Sequence, residues 1–261
     1  MSRISERLGG GGLICYLTAG FPAEGRNIDY IMACVEGGAD VIEIGVPFSD
    51  PVADGRVIQF TSQKALENGT TPVKVFDLVR SVRSRTDVPI VLMGYYNPIF
   101  RRGEERYVSE ARASGADGLI VPDLPMEESA SLEKHCSTAG IDLIQLVGPT
   151  TSEERMGRIA QRSSGFLYLV SALGTTGARR ETSSSIGELI SRAKRAAGPL
   201  PVSVGFGISR PDHVSEVLSA GADAAIVGSA ILQRIIDGDG PEKVGAFVRS
   251  LKEAADAAVR K

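Results

Sequence analysis

"GGADVIEIGVPFSDPVADG", residues 37–55, compresses the plan of the whole chain into one stretch. Two glycines close whatever precedes it, Ala39-Asp40 makes a tight turn, and VIEIGV is an apolar run that reads as a buried strand. PFSDPVADG then collects proline, glycine, serine and aspartate, the residues of a loop. The unit is helix end, short connection, strand, long loop. It recurs as SGADGLIVP (114–122) and AGADAAIVG (220–228), with AGIDLIQLV (139–147) as a looser copy. A glycine helix cap feeding a short αβ connection explains the repeat. The aspartates of these copies fall at strand starts and read as structural.

Outward from that stretch, apolar runs at 13–19, 40–46, 89–95, 118–123, 142–148, 165–172, 201–206 and 224–230 alternate with longer amphipathic ones. Rich in Val, Ile and Leu and apolar on both faces, they predict central parallel strands. Helical patterns such as 27–38, 71–85 and 210–221 lie between them. This βα repetition, with the number of strands that closes a barrel, predicts an α/β fold. The expected form is a single (βα)8 TIM barrel over 1–261 with a short N-terminal extension. A doubly wound open sheet is the alternative.

The chain has 261 residues, 43% of them hydrophobic, enough for one core of ordinary size. A net charge of −3 without any basic block argues against nucleic acid or an anionic membrane surface as partner. The apolar stretches are too short to cross a bilayer, and the polar, glycine-rich start shows no leader pattern. Cys15, Cys34 and Cys136 lack paired or metal-type spacing, so a reducing cytoplasm is the expected setting.

Barrel sites lie at the C-terminal strand ends and the loops that follow. There the chain places GVPFSDPVADG, YYNPIF, PDLPMEES, SALGTTGARR, GFGISRPDHV and GSAI. GTTG (174–177), GFGIS (205–209) and GSAI (228–231) put small residues where strands run into helices, the usual place for a phosphate. Tight βα turns are the plainer reading of each. Glu43 interrupts a buried strand, and no strand carries a lysine to pair with it. An unpaired buried carboxylate stays protonated toward neutrality, which suits general acid–base work. Asp54 fits either a second carboxylate over the same barrel mouth or a cap for a helix beginning near Val57. The seven lysines lie in helical or tail segments, which leaves a Schiff-base aldolase without its amine. His135 and His213 sit in helical patterns, and no metal-ligand spacing is visible.

These motifs resemble the tryptophan synthase α chain family: YLTAG (16–20), IEIGVPFSDPVADG (42–55), YYNPIF (95–100), PDLPMEES (122–129), GFGIS and GSAI, in family order across nearly the whole chain. The resemblance implies retro-aldol cleavage of indole-3-glycerol phosphate to indole and glyceraldehyde 3-phosphate, without a cofactor in this chain. It implies Glu43 as the proton-transferring group and Asp54 as the carboxylate that offsets charge on the indole nitrogen. Tyr168 would orient Glu43, and Tyr16 and Tyr95 would flank the indole. Gly177, Phe206, Gly207, Gly228 and Ser229 would hold the phosphate, and Thr176 belongs to a closing loop after strand 6. It further implies a β chain partner carrying pyridoxal phosphate in an α2β2 heterotetramer, with Pro47, Phe48, Pro51, Pro98 and Phe100 as exposed interface residues. Arg56 stands where the family usually has proline, Phe21 replaces a more usual acidic residue, and GTTG stands for the commoner GVTG. Rival readings are a phosphoribosylanthranilate isomerase-like barrel, a non-catalytic subunit that only activates its partner, and a stand-alone indole-releasing lyase. Cys15 lies mid-strand and SALGTTG offers no aspartate, which weighs against the first.

Overall fold

A computed structural model describes residues 2–171, 183–205 and 207–260. Its strands are β1 (Gly12–Thr18), β2 (Val41–Gly45), β3 (Ile90–Met93), β4 (Gly118–Ile120), β5 (Asp142–Val147), β6 (Leu167–Val170), β7 (Val202–Gly205) and β8 (Ala224–Val227). Each pairs in parallel with its neighbours in chain order, and β8 closes onto β1 through Gly12↔Ala224 to Cys15↔Val227. The sheet is therefore a closed barrel, and the open-sheet alternative is excluded. Every predicted apolar run overlaps one of these strands.

The first helices are α1 (Arg3–Leu8), α2 (Asn27–Glu36), α3 (Arg56–Glu67), α4 (Pro72–Arg83), α5 (Tyr96–Arg102) and α6 (Glu104–Ser114). They are followed by α7 (Ala130–Ala139), α8 (Glu153–Gln161), α9 (Ser183–Ala197), α10 (Pro211–Ser219), α11 (Ser229–Ile236) and α12 (Pro241–Val259). Local sequence explains these elements. The α4 start is set by Thr71, whose hydroxyl accepts from the Lys74 N–H, and by Pro72 in the first turn. Its buried residues, Val75, Phe76, Val79 and Val82, form one helical stripe toward the barrel. The barrel strands β1 and β2 are buried along their whole length, as a sheet covered by helices outside and packed side chains inside requires.

Register sets the interior layers. Glu43 pairs with Tyr16 on one side and Val91 on the other, and Tyr168 pairs with Ser203. With the shear of about 8 that accompanies this closure, Glu43, Ile120, Tyr168 and Ile226 come from alternate strands into one layer near the C-terminal end. The opposite end is plugged by α1, whose Ile4 and Leu8 are fully buried. A Cβ on Gly12 would stand 2.8 Å from Leu8 Cδ2, and one on Gly118 would stand 2.8 Å from Ile4 Cδ1. The N-terminal extension is thus the barrel floor.

The repeated aspartates are structural. Asp40 Oδ2 accepts from Leu13 N–H and from Lys252 Nζ, both at 2.8 Å. Asp117 Oδ2 accepts from Ile90 N–H at 2.9 Å and from Arg83 at 2.6 Å, while its Oδ1 takes Arg3 at 3.0 Å. Asp223 Oδ2 accepts from Val202 N–H and Lys194 Nζ, both at 2.6 Å. In each copy the carboxylate holds the first N–H groups of the preceding strand. The glycine two residues before Asp40, Asp117 and Asp223 has φ of 102°, 104° and 102°, a conformation that excludes most side chains.

Candidate active site

Glu43 stands mid-strand in β2, 1% exposed, and its Oε2 has no hydrogen-bond partner. Burial, and after it the charge of Asp54, pushes its carboxyl up to about 8. Near neutral pH it carries a proton, as an unpaired carboxylate in that position must. Asp54 follows β2 by a loop and lines the same cavity. Burial pushes its carboxyl up to about 6, while a hydrogen bond from the Tyr95 hydroxyl works in the opposite direction. Gly55, not Asp54, is the cap residue of α3, so the capping alternative for Asp54 falls away. Two carboxyl groups thus face one cavity with ionisation ranges separated by their surroundings, so that near neutral pH one holds its proton while the other is ionised.

Tyr16 and Tyr168 are buried beside them, and both hydroxyls are held well above their ordinary range, chiefly by burial. Their rings cross space that neighbouring glycines leave open. A Cβ on Gly45 would overlap the Tyr16 hydroxyl, and one on Gly205 would overlap the Tyr168 hydroxyl. Gly228 likewise backs the Tyr16 ring, where a Cβ would lie 3.1 Å from its Cβ and Cδ1. Gly205 and Gly228, in stretches that read as room for a phosphate, are therefore also room for the two tyrosines.

The cavity, about 90 Å³, lies at the C-terminal end of the barrel and is lined by Tyr16, Glu43, Asp54, Tyr168, Gly207, Gly228 and Ser229 among others. Gly207 has φ of 82°, and Gly228 and Ser229 are the cap and first residue of α11. Their end of the cavity presents first-turn N–H groups and a helix dipole suited to an anion. Tyr95 is buried but does not line the cavity. Its ring packs on Phe48, 5.3 Å between centroids, and its hydroxyl accepts from Ala53 N–H at 3.0 Å. Thr176, Gly177 and Phe206 lie outside the described residues. Sequence reading missed the apolar walls Ile58, Met93, Ile208 and Ile226. Met93 and Ile226 could have been found by counting inward positions at strand ends. Nothing local marks Ile58 or Ile208.

Roomier clefts lie elsewhere, about 520 Å³ between α2 and α12 and about 700 Å³ beside α1. Neither contains an unpartnered buried carboxylate, so volume is a poor guide to the chemistry here. Among the described residues no set of three or more His, Cys, Asp or Glu side chains converges as a metal site. One expectation about the surface needs correction. Pro47 is buried just after β2 rather than exposed, Phe48 is half-buried against Tyr95, and Pro51 and Pro98 are half-buried as well. The exposed apolar residues of this face are Val52 at 83% and Phe100 at 66%.

The fold and site have close relatives. The family described as Tryptophan synthase alpha chain matches residues 4–259. The tryptophan synthase alpha chain of Methanosarcina barkeri is 49% identical over 243 residues, 93% of this chain and 90% of that one. That of a Synechococcus strain is 44% identical over 254 residues, covering 96% and 94%. Among solved structures, the tryptophan synthase subunit alpha from Legionella pneumophila superposes with a TM-score of 0.89 at 35% identity, covering 98% of this chain and 99% of that one. A chain of the tryptophan synthase complex from Pyrococcus furiosus gives 0.85 at 38% identity, covering 93% and 98%. With matches of this length and identity, the chain belongs to the tryptophan synthase alpha chain family.

Proposed function

We propose that this chain is a tryptophan synthase α subunit, a carbon–carbon lyase acting on indole-3-glycerol phosphate, and that residues 1–261 work as one barrel unit. The observation that carries the reading is Glu43: fully buried, with an unpartnered Oε2, protonated near neutrality, and facing a cavity that also holds Asp54.

The roles follow from charge. Protonated Glu43 gives its proton to indole carbon 3, and the resulting positive charge reaches the ring nitrogen. Ionised Asp54 accepts the ring N–H and offsets that charge in a site with little water to do so. The Glu43 carboxylate then takes the proton of the side-chain hydroxyl. The oxygen becomes the aldehyde carbonyl of glyceraldehyde 3-phosphate, and the electron pair of the breaking C–C bond restores the indole ring. Glu43 ends protonated, ready for another cycle. Tyr16 and Tyr168 wall the indole end. Gly207, Gly228 and Ser229, with Gly177 and Phe206, hold the phosphate through backbone N–H groups and the serine hydroxyl, and Thr176 belongs to the loop that shuts the site. Tyr95 acts from behind Asp54 rather than against the indole.

Pyridoxal phosphate and the final synthesis of tryptophan belong, in this reading, to a β chain partner that receives indole in an α2β2 assembly. The Pyrococcus furiosus neighbour, a chain of a tryptophan synthase complex, supports that partnership. So do the exposed Val52 and Phe100 near the mouth, apolar residues of the kind an interface covers. The three free cysteines are all buried, which suits a reducing cytoplasm. Arg56 occupies the exposed first turn of α3 without displacing Asp54 from the cavity, so it lends the non-catalytic reading no support.

The test is indole release from indole-3-glycerol phosphate by the purified chain, with and without a tryptophan synthase β chain. Weak release that rises sharply with the partner is expected. Strong release indifferent to the partner would make it a stand-alone lyase, and none in either state would make it a non-catalytic subunit.

A further inference from the structure

Asp123 sits on the loop after β4, exposed, and does not line the cavity. Its Oδ1 accepts the N–H of Tyr96, the first residue of α5, at 2.9 Å. The cap residue of that helix, Tyr95, supplies no side-chain cap of its own. A carboxylate from a different loop therefore does the capping, and its negative charge also suits the helix N-terminus.

The consequence falls on Tyr95, whose backbone is the junction between β3 and α5. Its hydroxyl accepts from the N–H of Ala53, the residue before Asp54, at 3.0 Å, and favours the ionised form of the Asp54 carboxylate. The loop that carries Asp54 is thus tied to the barrel through this tyrosine. We propose that Asp123 is a positioning residue for the reaction: by capping α5 it fixes Tyr95, and Tyr95 in turn holds Asp54 in its working pose. The inference rests on the role given to Asp54 above.

It has a signature that a merely structural role lacks. Among the described residues, the groups electrostatically coupled to Asp54 are Glu43 from β2, Tyr16 from β1, Tyr168 from β6 and Tyr95 from the end of β3. Arg56, the first residue of α3, is exposed. Of that set, the Tyr95 hydroxyl alone favours the ionised form of Asp54 by a hydrogen bond. Loosening Tyr95 should therefore move the acid limb of the pH–rate profile upward.

The experiment measures indole release by the chain alone across pH, for wild type, Asp123→Ala, Asp123→Asn, Tyr95→Phe and the Asp123→Ala/Tyr95→Phe double variant. Asp123→Ala should lower kcat roughly ten- to hundredfold, the scale of a misplaced catalytic group, and raise the acid limb. Inhibition by glycerol 3-phosphate, the probe for the phosphate end, should not change. Asp123→Asn keeps an acceptor oxygen and should restore near wild-type behaviour. The double variant should be no worse than Tyr95→Phe, because both changes break one chain of contacts. Wild-type kcat and acid limb in Asp123→Ala, equal damage in Asp123→Asn, or additive losses in the double variant would each overturn the assignment. A wild-type chain that releases no indole sinks the underlying reading and this assignment with it. An active wild type with an indifferent Asp123→Ala sinks this assignment alone.

Discussion

The two ends of the barrel treat carboxylates in opposite ways. At the floor, Asp117 is 5% exposed and fully engaged: a strand N–H, Arg83 and Arg3 all point at it. Asp40 and Asp223 repeat the arrangement with Lys252 and Lys194. At the mouth, Glu43 is buried more deeply still, yet among the described residues one of its oxygens meets no donor and no cation acts on it. Burial alone does not separate a structural carboxylate from a reactive one. What separates them is whether the fold supplies donors for the ionised form. Supplied, the group stays ionised and locks strands together; withheld, it keeps a proton that it can transfer.

The contrast can be broken first by kinetics. Glu43→Gln should cost roughly 10²–10⁴ in kcat while the chain stays folded by circular dichroism. Near-full activity would make Glu43 a structural residue like those at the floor. Asp54→Asn should cost about 10²–10³, as losing one charge-stabilising group does. Its affinity for glycerol 3-phosphate should hold; a loss there would place Asp54 at the wrong end of the cavity.

A floor aspartate should fail in the reverse sense. Asp117→Ala leaves the Ile90 N–H unpaired and strips Arg83 and Arg3 of their carboxylate, and should lower stability by roughly 3–5 kcal/mol in urea unfolding. Turnover per folded molecule should remain that of wild type. A kinetic defect without a stability loss would erase the distinction between the two ends.

The smallest effect is a slope. The carboxyl of Glu43 is higher in the folded chain, about 8, than its ordinary 4.5, so between those values the folded state binds the extra proton. Its contribution to stability is complete below about 4.5 and is lost as pH rises through about 8. Wild type should therefore lose stability relative to Glu43→Gln on raising the pH, by at most about 1.4 kcal/mol per unit. Parallel stability curves for the two proteins would mean that Glu43 is already ionised inside the barrel.

Much of this was written locally. The echo of glycine, alanine and aspartate before three strands predicted both the αβ turns and the harmless role of those aspartates, because capping and turn geometry depend on adjacent residues. Glu43 was visible as a charge inside an apolar run. Less legible were contacts between segments far apart in the chain. Gly45 read as part of a buried strand and Gly205 as part of a tight turn, but their missing Cβ atoms make room for Tyr16 and Tyr168. The N-terminal extension gave no sign that Ile4 and Leu8 would fill the barrel floor. Nor did local sequence show that the Tyr95 hydroxyl would reach the loop of Asp54, where it accepts from the Ala53 N–H.

By itself the sequence determined the alternation of strands and helices, the end of the barrel where polar loops gather, and the identity of the two carboxyl groups, since periodicity, turn chemistry and residue type are properties of neighbouring residues. The closed tertiary structure decided which carboxylates meet donors and which do not. Barrel closure brings side chains from alternate strands into shared layers. Only there do burial, charge and glycine-made space combine to set whether a carboxyl group holds its proton.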